Sequence, residues 1–390
     1  MSNINSGDLL EQVDRHFDSS NQAWLLGAGI SVDAGLPLMG ALTVRVRERA
    51  KGQAHELLLE GLMGELPAGA HIEHVLSQLG DYSAIASRVA ACSVSISGKI
   101  YGLDDLRQAH TAITQHVSET IRWGYVPSRE GVPAAIGSRD APLARIDHHA
   151  AFVRVLFEQR QAGLWDRRKP VHFFTTNYDT LLEDALSLGK YPHWDGFSGG
   201  AVAFRSHQYG KIPQTDGMRG VVVKLHGSID WVLGTEGDVW RVRDTDTYPQ
   251  HHGRVLIHPQ STKYVSTQKD PFAGQFDIFR RVLAGTEELV LGVAGYSFGD
   301  EHVNEELERA LSLTGSKLTL VAFCRENDAL PQCLANWLEA PWADHVFVLT
   351  EKAAYWGTRE PVHQLPEGEH DWWSFKGVIA FLKNGGRGGE

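Results

Sequence analysis

The chain reads as an α/β protein built on a parallel sheet flanked by helices. Short apolar runs at 22–27, 171–175, 221–225, 254–258, 288–293, 317–323 and 344–349 alternate with segments whose apolar residues recur every three or four positions. Parallel strands buried on both faces read as continuous apolar runs, and helices must cross between them. Several runs end in turns rich in glycine or small polar residues, where such sheets gather their functional groups. Between 51 and about 165 the strand pattern nearly vanishes and helical spacing takes over.

Taken in order, 7–20 carries Leu9, Leu10, Val13 and Phe17 on one helical face and leads into the first strand, which ends in Trp24, Leu25 and Leu26. Gly27, Gly29 and Gly35 then break that strand, with Ser31 between them, before a helix over 42–50. Leu57, Leu58, Leu59 and Leu62, then Ile72, Val75, Leu76 and Leu79, then Ile113, Val117 and Ile121 predict a helical insertion. A loop over 125–142, rich in Pro and Gly, is long for a compact domain and reads as mobile, a lid or a contact surface. Helix resumes over 145–161 and recurs at 180–188, 276–285 and 302–313, while 189–220 shows no clear periodicity. Trp372, Trp373, Phe375, Val378, Ile379 and Leu382 suit a terminal docking helix, and 384–390 a disordered tail. The expected division is a discontinuous sheet domain of 1–45 and 166–350, a helical insertion or cap of 46–165, and a C-terminal segment of 351–390.

Composition narrows the function. A net charge of −11 over 390 residues argues against sequence-independent nucleic-acid binding by the whole surface. The compact basic run Arg167-Arg168-Lys169 reads as a solvated helix end. Cys92, Cys324 and Cys333 are too few and too scattered for a disulfide framework or a four-cysteine zinc site, and free thiols fit a reducing cytoplasm. No signal peptide and no apolar run of about 18 residues is evident.

Four strand-end loops hold the candidate chemistry. Gly27-Ala28-Gly29 and Ser31 could let backbone N–H groups approach a diphosphate, since a Cβ would block the contact. Thr175-Thr176-Asn177-Tyr178-Asp179 offers an amide and a carboxylate, or merely an Asx-turn that caps the next helix. Lys224-Leu225-His226-Gly227-Ser228 presents an imidazole able to accept a proton near neutral pH. Gly295-Tyr296-Ser297 could touch a nucleotide, with Asp300 capping the helix that follows.

Together these loops resemble the sirtuin family. Gly27-Ala28-Gly29-Ile30-Ser31 with Gly35-Leu36-Pro37 is similar to the sirtuin NAD-phosphate loop, Thr176-Asn177-Tyr178-Asp179 to its Gln-Asn-x-Asp segment, and Leu225-His226-Gly227 to its catalytic histidine motif. Gly295-Tyr296-Ser297 takes the place of the Gly-Thr-Ser motif. The likeness spans roughly 20–45 and 170–325 and implies a Rossmann-like sheet. Three departures stand out. The four zinc cysteines of the deacylases are missing after the His-Gly motif, Leu38-Met39-Gly40 replaces their Phe-Arg pair, and Thr176 replaces their glutamine. The Thr-Asn-Tyr-Asp-x-Leu-Leu-Glu and Gly-Tyr-Ser-Phe-x-Asp-x-His-x-Asn patterns are similar to bacterial sirtuin-like proteins of antiphage defence, and the chain resembles the stand-alone subunit that pairs with a HerA-type ATPase.

The resemblance implies hydrolysis of NAD+ as substrate to nicotinamide and ADP-ribose, with no zinc, in a cytoplasmic homo-oligomer. Gly27, Ala28, Gly29 and Ser31 would cradle the diphosphate, while Asn177 and His226 would be catalytic. Asp179 would orient the ribose or nicotinamide, and Gly295, Ser297 and Asn327 would lie along the nucleotide. Three other readings compete: an NAD or ADP-ribose sensor without turnover, a nuclease subunit of an ATPase-partnered complex, and residual deacylation, which the three departures disfavour. For the nuclease, Asp147-His148-His149, His71 with His74, and His251-His252 are the candidate metal ligands.

Overall fold

Strand β1 (Gln22–Leu26) is buried at all five positions because it lies inside the sheet, with a parallel neighbour on each side. The computed structural model describes residues 6–160, 169–243, 251–256, 271–363 and 371–385. Numbered within this sheet, the other strands are β2 (Val171–Thr175), β3 (His193–Trp194), β4 (Gly220–Lys224), β5 (Leu289–Ala294), β6 (Leu318–Phe323), β7 (Val346–Leu349) and β8 (Ala354–Trp356). Their order is β8-β7-β6-β5-β1-β2-β4-β3, parallel except for the edge strand β8. The chain runs from β1 outward to β2 on one side and from β5 outward to β7 on the other. The order therefore reverses beside β1, the switch point at which such sheets open a crevice for ligands.

Alternate residues of each strand face opposite layers. Trp24, Phe173, Val222 and Phe323 pack with Leu9, Val13, Phe152, Leu186 and Phe381, whereas Leu25, Phe174, Val223 and Val293 pack with Phe279, Leu307 and Trp337. Gly292 on β5 leaves room for the Trp24 ring, whose atoms stand 2.5 Å from where a Cβ would be. The terminal helix Phe375–Asn384 is started by Ser374, whose hydroxyl accepts the Gly377 N–H at 3.0 Å, and docks beside Phe17. The tail beyond 385 lies outside the described residues.

The helices Met39–Ala50, Glu56–Glu65, Ile72–Ala86 and Leu103–Trp123 enclose a core of their own, formed by Leu42, Leu59, Leu76, Leu106 and Ile113. A β-hairpin, Ser93–Ile96 with Lys99–Gly102, interrupts this helical stretch, where strand-like alternation was not expected. The 125–142 loop is pinned at both ends. Tyr125 N–H bonds Gly35 O at 3.0 Å, Arg145 N–H bonds Ala34 O at 2.8 Å, and Tyr125–Val126 pairs with Ala135–Ile136.

The largest departure from expectation is a second, antiparallel sheet. It runs in the order His251–Leu256, Gly227–Gly234, Val239–Val242, Val202–Arg205, Phe197–Gly199. The run at 254–258, expected among the parallel strands, belongs to it as far as residue 256. Its small core joins Phe197, Ala203, Trp231, Val239 and Phe272. These residues come from four strands and the start of helix Phe272–Leu283, so no local periodicity announces them.

Candidate active site

Register sets the site. Leu26, Thr175, Lys224 and Ala294 stand on one rung across β1, β2, β4 and β5, so the four loops that follow leave the sheet at the same level. Backbone bonds carry the alignment one residue further: Gly27 N–H to Ala294 O at 3.0 Å, Thr176 N–H to Leu26 O at 3.2 Å, Leu225 N–H to Thr175 O at 2.8 Å.

The glycines first serve backbone packing. Cβ atoms on Gly27 and Gly29 would meet backbone atoms of Gly295 at 2.5 and 2.7 Å, and Gly295 itself has φ +63°. The Gly29 N–H bonds Gly295 O at 2.8 Å. The N–H groups of Gly27 and Gly29 therefore point at protein carbonyls. Ala28, Val32 and Asp33 are exposed in the turn, and Gly35 (φ +85°) closes it against Leu143.

Behind this turn lies a chain of polar groups, each less than 9 % exposed. The Ser31 hydroxyl donates to Asp179 Oδ2 at 2.8 Å, and Asn177 Nδ2 donates to Ser31 Oγ at 3.3 Å. One hydroxyl proton cannot serve two acceptors. With it committed to the carboxylate, Ser31 Oγ must receive the NH₂ side of Asn177, which fixes the amide orientation. Asn177 Oδ1 is left as a buried acceptor without a hydrogen-bond partner among the described residues. Such a group costs free energy unless a ligand or water fills it. Asp179 Oδ1 also accepts the Leu181 N–H at 3.0 Å, so the helix-capping Asx-turn is present alongside the contact to Ser31.

His226 is buried, and its Nε2 meets Asp300 Oδ2 at 2.7 Å. Asp300 caps helix Glu301–Leu311, accepting the His302 N–H at 3.2 Å through its other oxygen. Sequence reasoning found the cap and missed the pair, because nothing local to Asp300 reports a residue on another strand. A carboxylate on one ring nitrogen orients the imidazole. The 295–304 loop is laced internally: Tyr296 OH lies 3.1 Å from Asp300 O and 3.0 Å from Asn304 Oδ1, and Asn304 Nδ2 donates to Phe298 O at 2.7 Å.

Two further buried groups brace the Asn177 loop. Lys224 Nζ bonds Asp179 O and pairs with Glu183 Oε1 at 3.2 Å, with both side chains less than 8 % exposed. Burial pushes the Glu183 carboxyl up to about 7 against the pull of Lys224. The Ile229 N–H and the Ser228 hydroxyl both reach Tyr178 O, at 2.9 and 3.3 Å, tying the strand after His226 to the same loop. Hydrogen bonds thus join Ser31, Asn177 and Asp179 to one another and Gly29 to Gly295, while His226 pairs with Asp300 and the strand after it is tied to Tyr178. Ser297 and Asn327 do not join it. Both are exposed; Ser297 Oγ accepts the Gly299 N–H at 3.4 Å, and the Asn327 N–H goes to Glu351 at 3.1 Å.

Of the histidine pairs weighed as metal ligands, His71 and His74 form a capping pair, the His71 N–H on His74 Nδ1 at 3.2 Å, and His149 is fully buried. Among the described residues, no group of three or more His, Cys, Asp or Glu could hold a metal ion. Arg167, Arg168 and the side chains of His251 and His252 lie outside the described residues. No helix among the described residues is long and apolar enough to cross a membrane.

A Rossmann-like sheet with a buried polar site at its switch point defines the class of protein. Residues 171–341 match the family model of the SIR2-like domain. The match opens at the first residue of β2. The Gly27 turn and Ser31, although bonded to that region, lie before it. No curated protein matches the chain.

Proposed function

We propose that the chain hydrolyses NAD+ as its substrate, giving nicotinamide and ADP-ribose. The observation that carries this reading is the oriented Asn177 amide with its unfilled buried Oδ1, on a loop that leaves the sheet at the same level as the loops bearing the His226–Asp300 pair. Breaking the bond between the ribose C1′ and the pyridinium nitrogen releases neutral nicotinamide with both bonding electrons and leaves an oxocarbenium-like centre. Water supplies the new C1′–O bond and loses one proton. Asn177 Oδ1 suits a donor of the type presented by a ribose hydroxyl or that water, and His226 suits the proton acceptor. The buried carboxylate of Asp179, held by Ser31, adds negative potential that favours positive charge on the sugar. Gly27, Ala28, Gly29, Gly295 and Ser297 would flank the diphosphate and adenosine, with the exposed Ala28 and Ser297 at the rim.

Hydrolysis, rather than acyl transfer, is favoured by the antiparallel sheet and by the lack of any cysteine between the His-Gly motif and Cys324, where the zinc module of the deacylases would fall. A role in antiphage defence through NAD+ depletion, a homo-oligomer and a HerA-type ATPase partner belong to the same reading and rest on the motif resemblance. The test is purified protein with NAD+, alone and with a HerA-type ATPase, with products separated by chromatography. Nicotinamide and ADP-ribose in equal amounts, lost in His226→Ala, support the hydrolase. NAD+ bound but uncleaved under both conditions replaces it with a sensor.

A further inference from the structure

The helical segment reaches the candidate site through one buried residue. Glu73 sits in the first turn of helix Ile72–Ala86, among Ile72, Val75, Leu76 and Leu79, and is only 5 % exposed. A carboxylate buried among apolar groups costs several kcal/mol unless hydrogen bonds compensate it. Here the Tyr178 hydroxyl donates to Glu73 Oε1 at 2.7 Å. The helix start is itself held by Thr43, whose hydroxyl accepts the Ile72 N–H at 2.9 Å.

Tyr178 is the residue between Asn177 and Asp179, and its two ends face different units. Its carbonyl takes Ile229 and Ser228 from the strand that follows His226. Its ring packs in the core of the helical segment with Leu36, Leu76 and Ile229. Burial first, then Glu73, hold the phenol protonated far above its ordinary range, and Asp300 pushes in the same direction. The phenol is therefore within electrostatic reach of the carboxylate that pairs with His226.

We propose that Glu73 is a positioning residue of the candidate site: through Tyr178 it fixes the loop bearing Asn177 and Asp179, making the helical segment part of the machinery. This rests on the NAD+ hydrolase reading above. Freed from Glu73, the Tyr178 ring can rotate in its core pocket and the Asn177 amide loses its fixed direction. Misplacement of a reacting group by about 1 Å costs about a hundredfold in rate. A displacement of helix Ile72–Ala86 would reach Asn177 by the same route.

The experiment compares wild type with Glu73→Gln, Glu73→Ala, Tyr178→Phe and the Glu73→Ala/Tyr178→Phe double variant. It reads steady-state NAD+ hydrolysis, and hydrogen–deuterium exchange of the peptide spanning 176–181. Glu73→Ala and Tyr178→Phe should each lower kcat about tenfold or more with KM within about threefold of wild type. Glu73→Gln, whose amide oxygen still accepts from the phenol, should stay within about threefold, and the double variant should be no worse than either single. Exchange of 176–181 should rise wherever kcat falls. Tyr178→Phe keeps the ring in its core contacts and carries the test should Glu73→Ala fail to fold. Unchanged kcat and exchange in folded Tyr178→Phe, or Glu73→Gln as impaired as Glu73→Ala, overturns the proposal. Absence of turnover in the wild type overturns the hydrolase reading instead. The exchange data then decide the Glu73–Tyr178 link alone: a rise supports it and no change overturns it.

Discussion

Asp300 carries two loads that one substitution can separate. One carboxylate oxygen caps a helix and the other holds the His226 ring. Asparagine caps helices about as well as aspartate, so Asp300→Asn should leave the fold in place while removing the charge behind the imidazole. The expected result is a fall in NAD+ hydrolysis of about ten- to a hundredfold, with a melting temperature close to that of wild type. In a His226→Ala background the same change should add almost nothing, because the two residues act as a unit. His226→Ala or Asn177→Ala alone should lower turnover by about a hundredfold or more. Near-normal rates in both would remove these residues from the mechanism.

The element that joins the halves of the site is the turn after β1. Gly29 and Gly295 touch backbone to backbone, and backbone cannot rotate aside as a side chain can. Gly29→Ala should therefore push the 295–304 loop away from Ser31, lowering the melting temperature by several degrees and weakening NAD+ binding at least tenfold. Gly40→Ala is the matched control. It lies in helix Met39–Ala50 with nothing within 4 Å of the new Cβ, and alanine is the better helix former by up to about 1 kcal/mol. Thermal melts and calorimetric NAD+ titrations of the two variants settle the comparison. Equal behaviour would mean that the close approach of the two loops is unimportant.

Across the whole molecule, histidines withdrawn from water should set the acid limit. His71, His116, His149 and His172 are each held down to about 4, chiefly by burial. A histidine titrating near 6.5 when unfolded and near 4 when folded favours the unfolded chain once protonated. Its contribution is whole above about 6.5 and declines as pH falls through the window from about 6.5 to about 4. His149 is the clearest case, fully buried with both ring nitrogens lacking hydrogen-bond partners among the described residues. That group alone accounts for up to about 3 kcal/mol across the window. His149→Leu should flatten the acid limb of a melting-temperature profile without lowering stability at pH 7.5. A limb as steep as that of wild type would assign the acid sensitivity to other groups.

The parallel strands and the turns after them were legible because each is a local event: an apolar run buried on both faces, then a glycine or a small polar residue. Val171–Thr175 matches its apolar run residue for residue, and Ser31, Asn177 and Asp179 were singled out before their hydrogen bonds were visible. What the sequence by itself determined is the parallel-strand pattern, the order of the loops and the chemical types they carry. Only the tertiary structure decided which atoms meet: the Gly29 N–H on Gly295, the Asn177 amide turned toward Ser31, His226 against Asp300, and Glu73 under Tyr178. It also decided the antiparallel sheet, whose strands pair across long stretches of chain. Such contacts join residues far apart in the chain, and their energy depends on burial and register, which exist once the sheet has formed.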